Sequence, residues 1–298
     1  MPLEMHSRTI PRLFQAGRPA FRPSIIPPPI MSRPTGLIAN KGIELLTFQT
    51  PNGHKASILL EELKEKYGLE YTFQSINIME NIQKEPWFTK LGPNGRIPVI
   101  VDHDNDGFSV QEGAAILAYL TRHYDPEKQF TFADAKDLSR AEQWVAWQHG
   151  GVGPMQGQAN HFARAAKERI PYGIQRYVGE TERLYGILDA HLADRDFLVG
   201  PGRGKFSIAD IANFGWVNIC YFSGIDLEQF PNLHQWWERI EARPAVRKGL
   251  SVPTESSFTN RAYKERIQTD EEFRKSEEQQ AELIRKAKEQ YNYKYSSP

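Results

Sequence analysis

Between residues 44 and 123 the hydrophobic pattern switches repeatedly between short apolar runs and longer amphipathic stretches, and beyond residue 138 the short runs stop. That change of period constrains the fold more than any other feature, because side chains alternate along a strand but return every 3.6 residues along a helix. The first part predicts a strand (44–49), a helix (54–67), a strand (71–76), a helix (82–90), two strands (98–102 and 107–110) and a helix (112–123). Such a β-α-β-α-β-β-α order, with right-handed crossovers, gives a small mixed sheet with helices on both faces. Segments 139–150, 173–192, 207–222 and 232–242 read as helices, which makes the second domain all α. Ser207 and Asp210 have the spacing of a helix-capping box, a structural role.

The flanks differ in composition. The first 40 residues hold eight of the 20 prolines, five arginines and a single acid, Glu4, so 1–40 is expected to be a disordered tail. Arg-rich, acid-poor character also suits a mitochondrial address, but Pro27, Pro28 and Pro29 interrupt the amphipathic helix that one requires. A plain tail, or translation starting at Met31 rather than Met1, are the alternatives. Residues 125–138 read as a linker. The stretch 252–298 reads as a charged, solvated helical extension with pairs such as Glu282 and Lys286; packing on the body and contact with a partner both remain open.

Lys plus Arg and Asp plus Glu both total 37, so there is no net charge to hold a polyanion, and nucleic acid is not expected as a partner. No apolar run approaches the roughly 20 residues that cross a bilayer. The single cysteine, Cys220, lies in an apolar segment; this excludes an internal disulfide and a Cys-X-X-Cys pair and fits a reducing, cytoplasmic compartment. The eight histidines lack metal-ligand spacing, so no metal is expected, and no G-X-S-X-G or phosphate loop occurs. Trp236 and Trp237 read as core.

Three turns carry chemistry. Thr50-Pro51-Asn52-Gly53 ends a strand and opens a helix whose free N–H groups and positive dipole end would stabilise an anion. Thr50 and Asn52 offer a hydroxyl and an amide to a sulfur anion, which lowers a thiol pKa without a general base; an ordinary cap is the alternative. The Ile97-Pro98 bond, in a tight turn before a strand, is a candidate for the cis isomer. It would free the N–H and C=O of Ile97 to pair with a short peptide. Glu112 and Gly113 open the last helix of the first domain, where a carboxylate suits the dipole or the ammonium group of a peptide. His149 and His161 flank the segment 153–158 and are expected to line a second-substrate pocket.

TPNGHK (50–55), NGRIPVIVD (94–102), EGAAILAYL (112–120), QWVAWQHGGVGPMQGQANHF (143–162), IPYGIQRY (170–177), SIADI (207–211) and ERIEARPAV (238–246) together resemble a glutathione transferase. The resemblance covers 41–250, and is narrowest to the nu class and the fungal branch containing the yeast nitrogen-catabolite regulator. It implies an α/β thioredoxin-like glutathione-binding domain (41–124) followed by an all-α domain (139–251). It also implies a two-fold homodimer and glutathione as co-substrate. By position, Thr50 and Asn52 would activate the sulfur, and Ile97 before Pro98 would hold the cysteinyl backbone. Gln83 and Glu112 would reach the ends of the peptide, and Arg176 would neutralise a carboxylate of glutathione or of a second glutathione, with Arg96 as a further candidate. The family usually has Glu-Ser where this chain has Glu112-Gly113; the lost hydroxyl contact is worth about 1 kcal/mol of binding.

The implied activity is attack of the glutathione thiolate on a small electrophile, in detoxification or secondary metabolism, or reduction of a disulfide through bound glutathione. The alternative is a transferase fold kept as a regulator or scaffold without catalysis.

Overall fold

The computed structural model of the protein describes residues 33–296. Strands β1 (Ile43–Thr47), β2 (Tyr71–Ser75), β3 (Val99–Asp102) and β4 (Phe108–Gln111) form one sheet in the order β2-β1-β3-β4. β1 is parallel to β2 and antiparallel to β3, which is antiparallel to β4. Period-two alternation divides the apolar strand residues between two faces. Ile43, Leu45 and Ile100 join the core with Leu59 of α1 (Pro51–Tyr67) and Ile116 of α3 (Gly113–Tyr124), whereas Leu46 and Val99 pack with Ile76, Ile82 and Phe88 of α2 (Pro86–Leu91). This is the expected thioredoxin-like order.

The second domain is helical, as expected: α4 (Ala135–Trp147), α5 (Gly153–Asn160), α6 (Pro171–His191), α7 (Ile208–Val217), α8 (Pro231–Glu241) and α9 (Pro244–Leu250). Its core is continuous with the α1/α3 face of the sheet. Polar contacts add direction to the docking: Ser57 donates to the Gly249 carbonyl at 2.7 Å, and Arg243 makes paired hydrogen bonds of 2.6 and 2.7 Å to the buried Glu62 of α1. Glu62 is buried while Arg243 is half-buried, so loss of the arginine would leave a buried carboxylate without its partner. The capping box at Ser207 and Asp210 forms, and Trp236 and Trp237 are buried with their indole N–H groups donating to Asp210 and Asn218.

The helix expected over 207–222 ends at Val217, and α4 begins at Ala135, inside the expected linker 125–138; four larger expectations change. The helix expected over 82–90 is a 3-10 turn (Ile82–Lys84) followed by α2, because Glu85 precedes a proline and is extended (φ −70°, ψ 149°). The helix expected to stop at 150 continues: π turns at Gln148–Val152 and His161–Ala165 join α4 to α5 and extend α5 beyond Asn160. Gly150, Gly151 and Pro154 read as breakers, yet a shift to i→i+5 bonding absorbs them. Of the expected tail, 1–32 lies outside the described residues, while the N–H groups of Ile38 and Ala39 donate to the buried Glu44 carboxylate at 3.0 and 2.9 Å.

The fourth change concerns the extension, which is two helices, α10 (Asn260–Thr269) and α11 (Glu271–Gln290), rather than one solvated helix. Phe273, Ile284 and Ala287 are buried along one stripe of α11, which packs on α6. Glu277, on the same stripe, pairs with Arg164 through two bonds of 2.8 and 2.6 Å, and Gln280 donates to the Ala163 carbonyl at 2.7 Å. The stripe is too sparse in apolar residues to stand out in the sequence; its polar members are satisfied by partners on the 161–165 turn.

Candidate functional site

A cleft of about 520 Å³ lies where the first domain meets α5 and α7, and it gathers Thr50, Asn52, Gln83, Arg96, Ile97, Pro98, Glu112 and Gly113. Its floor is the start of α1. Thr50 is the N-cap, its Oγ1 accepting from the Gly53 N–H at 3.1 Å, and the hydroxyl hydrogen remains available to donate. The turn depends on Gly53: a Cβ there would stand 2.2 Å from the Phe48 carbonyl oxygen and 2.5 Å from Thr47 Oγ1.

Asn52 is the best-defined group at this end. Its Oδ1 accepts from Lys55 Nζ at 3.0 Å and from Trp216 Nε1 at 3.2 Å. The Trp216 indole is a donor only and Lys55 donates to the same atom, so the oxygen faces them and the amide nitrogen is left for the cleft. Lys55 is 3% exposed, and its Nζ also donates to Oε1 of the buried Gln148 at 2.6 Å. Burial lowers its pKa to about 7, with Glu112 acting in the opposite sense. The neighbouring His54 faces the interior. Neither ring nitrogen has a partner, and burial lowers its pKa to about 4.

The opposite rim comes from the other two turns. The Ile97-Pro98 bond is cis. Gln83 lines the cleft but is largely buried, its Oε1 enclosed and unpartnered. Glu112 takes a left-handed φ of 70° before α3. Its carboxylate accepts from Asn94 Nδ2 at 3.2 Å and lies 3.7 Å from His149 Nε2. Gly113 has room for a side chain, since a Cβ would meet only Lys55 Cδ, at 3.6 Å.

The helical domain closes the cleft with His149, Gly157, Asn160 and Trp216. Gly153 lets Gln148 and Trp216 approach together, because a Cβ there would stand 2.8 Å from Gln148 Nε2 and 3.1 Å from Trp216 Nε1. His149 lines the cleft. His161 does not, its ring lying instead edge-on to Phe162. Arg176 is not brought to the cleft either: it is on α6, which contributes no lining residue, with Nη1 3.6 Å from Glu180 Oε2. Among the described residues no cluster of His, Cys, Asp and Glu could hold a metal ion. Nor, among them, is any helix long and apolar enough to cross a membrane.

The chain matches the family description "Glutathione S-transferase, N-terminal domain" over residues 50–123 and "Glutathione S-transferase, C-terminal domain" over 174–244. The disulfide-bond oxidoreductase YfcG of Escherichia coli (strain K12) is 41% identical over 214 residues, 70% of this chain and 94% of the relative. The chain therefore belongs to the glutathione transferase family. The transcriptional regulator URE2 of Saccharomyces cerevisiae is 31% identical over 233 residues, 67% of this chain and 65% of the relative. A glutathione transferase homolog from Lodderomyces elongisporus, whose crystal structure has two GSH per subunit, is 40% identical. It superposes with a TM-score of 0.67 over 72% of this chain and 99% of that one.

Proposed function

We propose that this chain binds glutathione in the cleft, holds its sulfur as a thiolate at the start of α1 and presents it to a disulfide or a carbon electrophile. The observation that carries this is the Asn52 side chain, whose oxygen accepts from Lys55 and Trp216 so that its amide nitrogen is left for the cleft. Thr50 supplies a hydroxyl beside it. Gln83, Ile97 and Glu112 stand around the cleft where a peptide's backbone and amino group would be held, and Arg96 supplies a cation at the rim.

Disulfide reduction is the reaction we favour, because the second wall presents His149 and Asn160 beside Trp216 rather than a wholly apolar surface. The similarity to a disulfide-bond oxidoreductase supports it. The thiolate attacks one sulfur of the disulfide, forming a mixed disulfide and releasing the other half as a thiolate that takes a proton from water. A second glutathione then displaces the remaining half. Two glutathione molecules are oxidised and one disulfide is reduced, with no cysteine of the protein taking part. A transferase fold serving as a regulator is the second reading, favoured by the likeness to the transcriptional regulator URE2.

The thiolate absorbance of added glutathione, followed against pH, separates the two. The enzyme reading predicts a thiolate band well below the pH at which free glutathione ionises, and its loss in Asn52→Ala. Bound glutathione that ionises like the free thiol would leave the regulatory reading.

A further inference from the structure

We propose that Lys55 is a positioning residue for the glutathione sulfur, holding the Asn52 oxygen beneath the cleft so that the amide N–H group faces the thiolate, and doing so only while the helical domain is docked. This rests on the glutathione reading above. An exposed Asn amide turns easily, and its oxygen would repel a thiolate as strongly as its nitrogen attracts one. Two donors settle which end faces up. Lys55 Nζ, at 3.0 Å, comes from the same helix, and Trp216 Nε1, at 3.2 Å, comes from α7.

Lys55 is held in turn by the Gln148 oxygen at 2.6 Å, from the π turn of the helical domain. The chain Gln148, Lys55, Asn52 and Trp216 thus begins and ends on the second domain, with the activating amide in the first. Separating the domains would remove both the brace on Lys55 and the second donor to Asn52.

The charge on Lys55 adds to this. The acid acting on it is Glu112, just before α3, and the same cleft also holds the basic groups Arg96 and His149. With its pKa lowered to about 7, Lys55 is not committed to an ion pair and can share its field with a new anion. A thiolate and an ammonium so placed favour each other's ionised forms and titrate together.

The test uses the full chain, with glutathione as the probe. Thiol pKa is read from the thiolate band and affinity from calorimetry, for wild type, Lys55→Met, Lys55→Arg, Trp216→Phe and Asn52→Ala. The expected result is a rise of about one pKa unit in Lys55→Met, a tenfold loss of thiolate at lower pH. Glutathione affinity changes far less, Lys55→Arg recovers part of the shift, and Trp216→Phe shows a smaller rise. A folded Lys55→Met with an unchanged thiol pKa, while Asn52→Ala raises it, would overturn the proposal and leave the glutathione reading intact. No lowering in wild type would overturn both. Should Lys55→Met fail to fold, an unchanged thiol pKa in Trp216→Phe overturns the proposal.

Discussion

The first turn of α1 buries two basic side chains next to each other and treats them in opposite ways. His54 enters the interior with both ring nitrogens unpartnered, whereas Lys55 reaches under the cleft to two acceptors from different domains. Burial lowers both pKa values, but only Lys55 keeps a pKa of about 7, near the pH at which a charge is useful, against about 4 for His54. Burial alone therefore makes a neutral filler. Burial with matched acceptors and a distant acid makes a group that can respond to a ligand.

The change with the largest expected effect breaks the comparison by displacing both residues. Gly53→Ala drives a methyl group into the Phe48 carbonyl at 2.2 Å, so the turn must move. We expect a loss of about 3 kcal/mol or more in chemical denaturation, together with loss of glutathione binding.

The next separates the two side chains by pH. An unfolded histidine takes up its proton near pH 6.5 and folded His54 only near 4, so stability is full above 6.5 and falls as pH drops towards 4. The loss is roughly 3 kcal/mol, and His54→Phe should remove it. Lys55 works in a different window: the folded side chain sheds its proton near pH 7 and the unfolded one near 10.5, so stability rises between them. Denaturation midpoints measured across pH should show two limbs, the lower abolished by His54→Phe and the upper by Lys55→Met.

The smallest effect sharpens the Lys55 side alone. Gly113 has space beside the Lys55 stem, where an added Cβ would stand 3.6 Å from Cδ, so Gly113→Ser should be accommodated. The added hydroxyl should tighten glutathione by about 1 kcal/mol, roughly fivefold in Kd by calorimetry, without shifting the thiol pKa.

Much of the lining of the candidate cleft was legible in the sequence because its groups sit in turns. Thr50, Asn52, Ile97 and Glu112 each neighbour a proline or glycine at an abrupt change of period. Lys55 was not legible, since a lysine in an amphipathic helix reads as solvated. Its partner Gln148 is 93 residues away, and Trp216 is 164 residues from Asn52. A faint signal existed: Lys55 lies one turn before Ile58 and Leu59, on a stretch that is buried throughout. Arg176, on α6, lies outside the cleft lining, and no local motif reveals where the packing of α6 puts it. The strands and most helices followed from periodicity; the helix running through Gly150 to Pro154 did not, because breaker residues say nothing of a change in hydrogen-bond register.

That register change has an evolutionary consequence. A π turn is in effect one residue inserted into an α-helix, held in a wider turn so that the helix on either side keeps its face. Deleting a single residue from 149–152 would restore ordinary α spacing with the flanking faces kept, so it is the wide turn itself, with His149, that would be withdrawn from the cleft. The acquisition or loss of this part of the site is thus open to a change in chain length, invisible to any comparison that counts only substitutions.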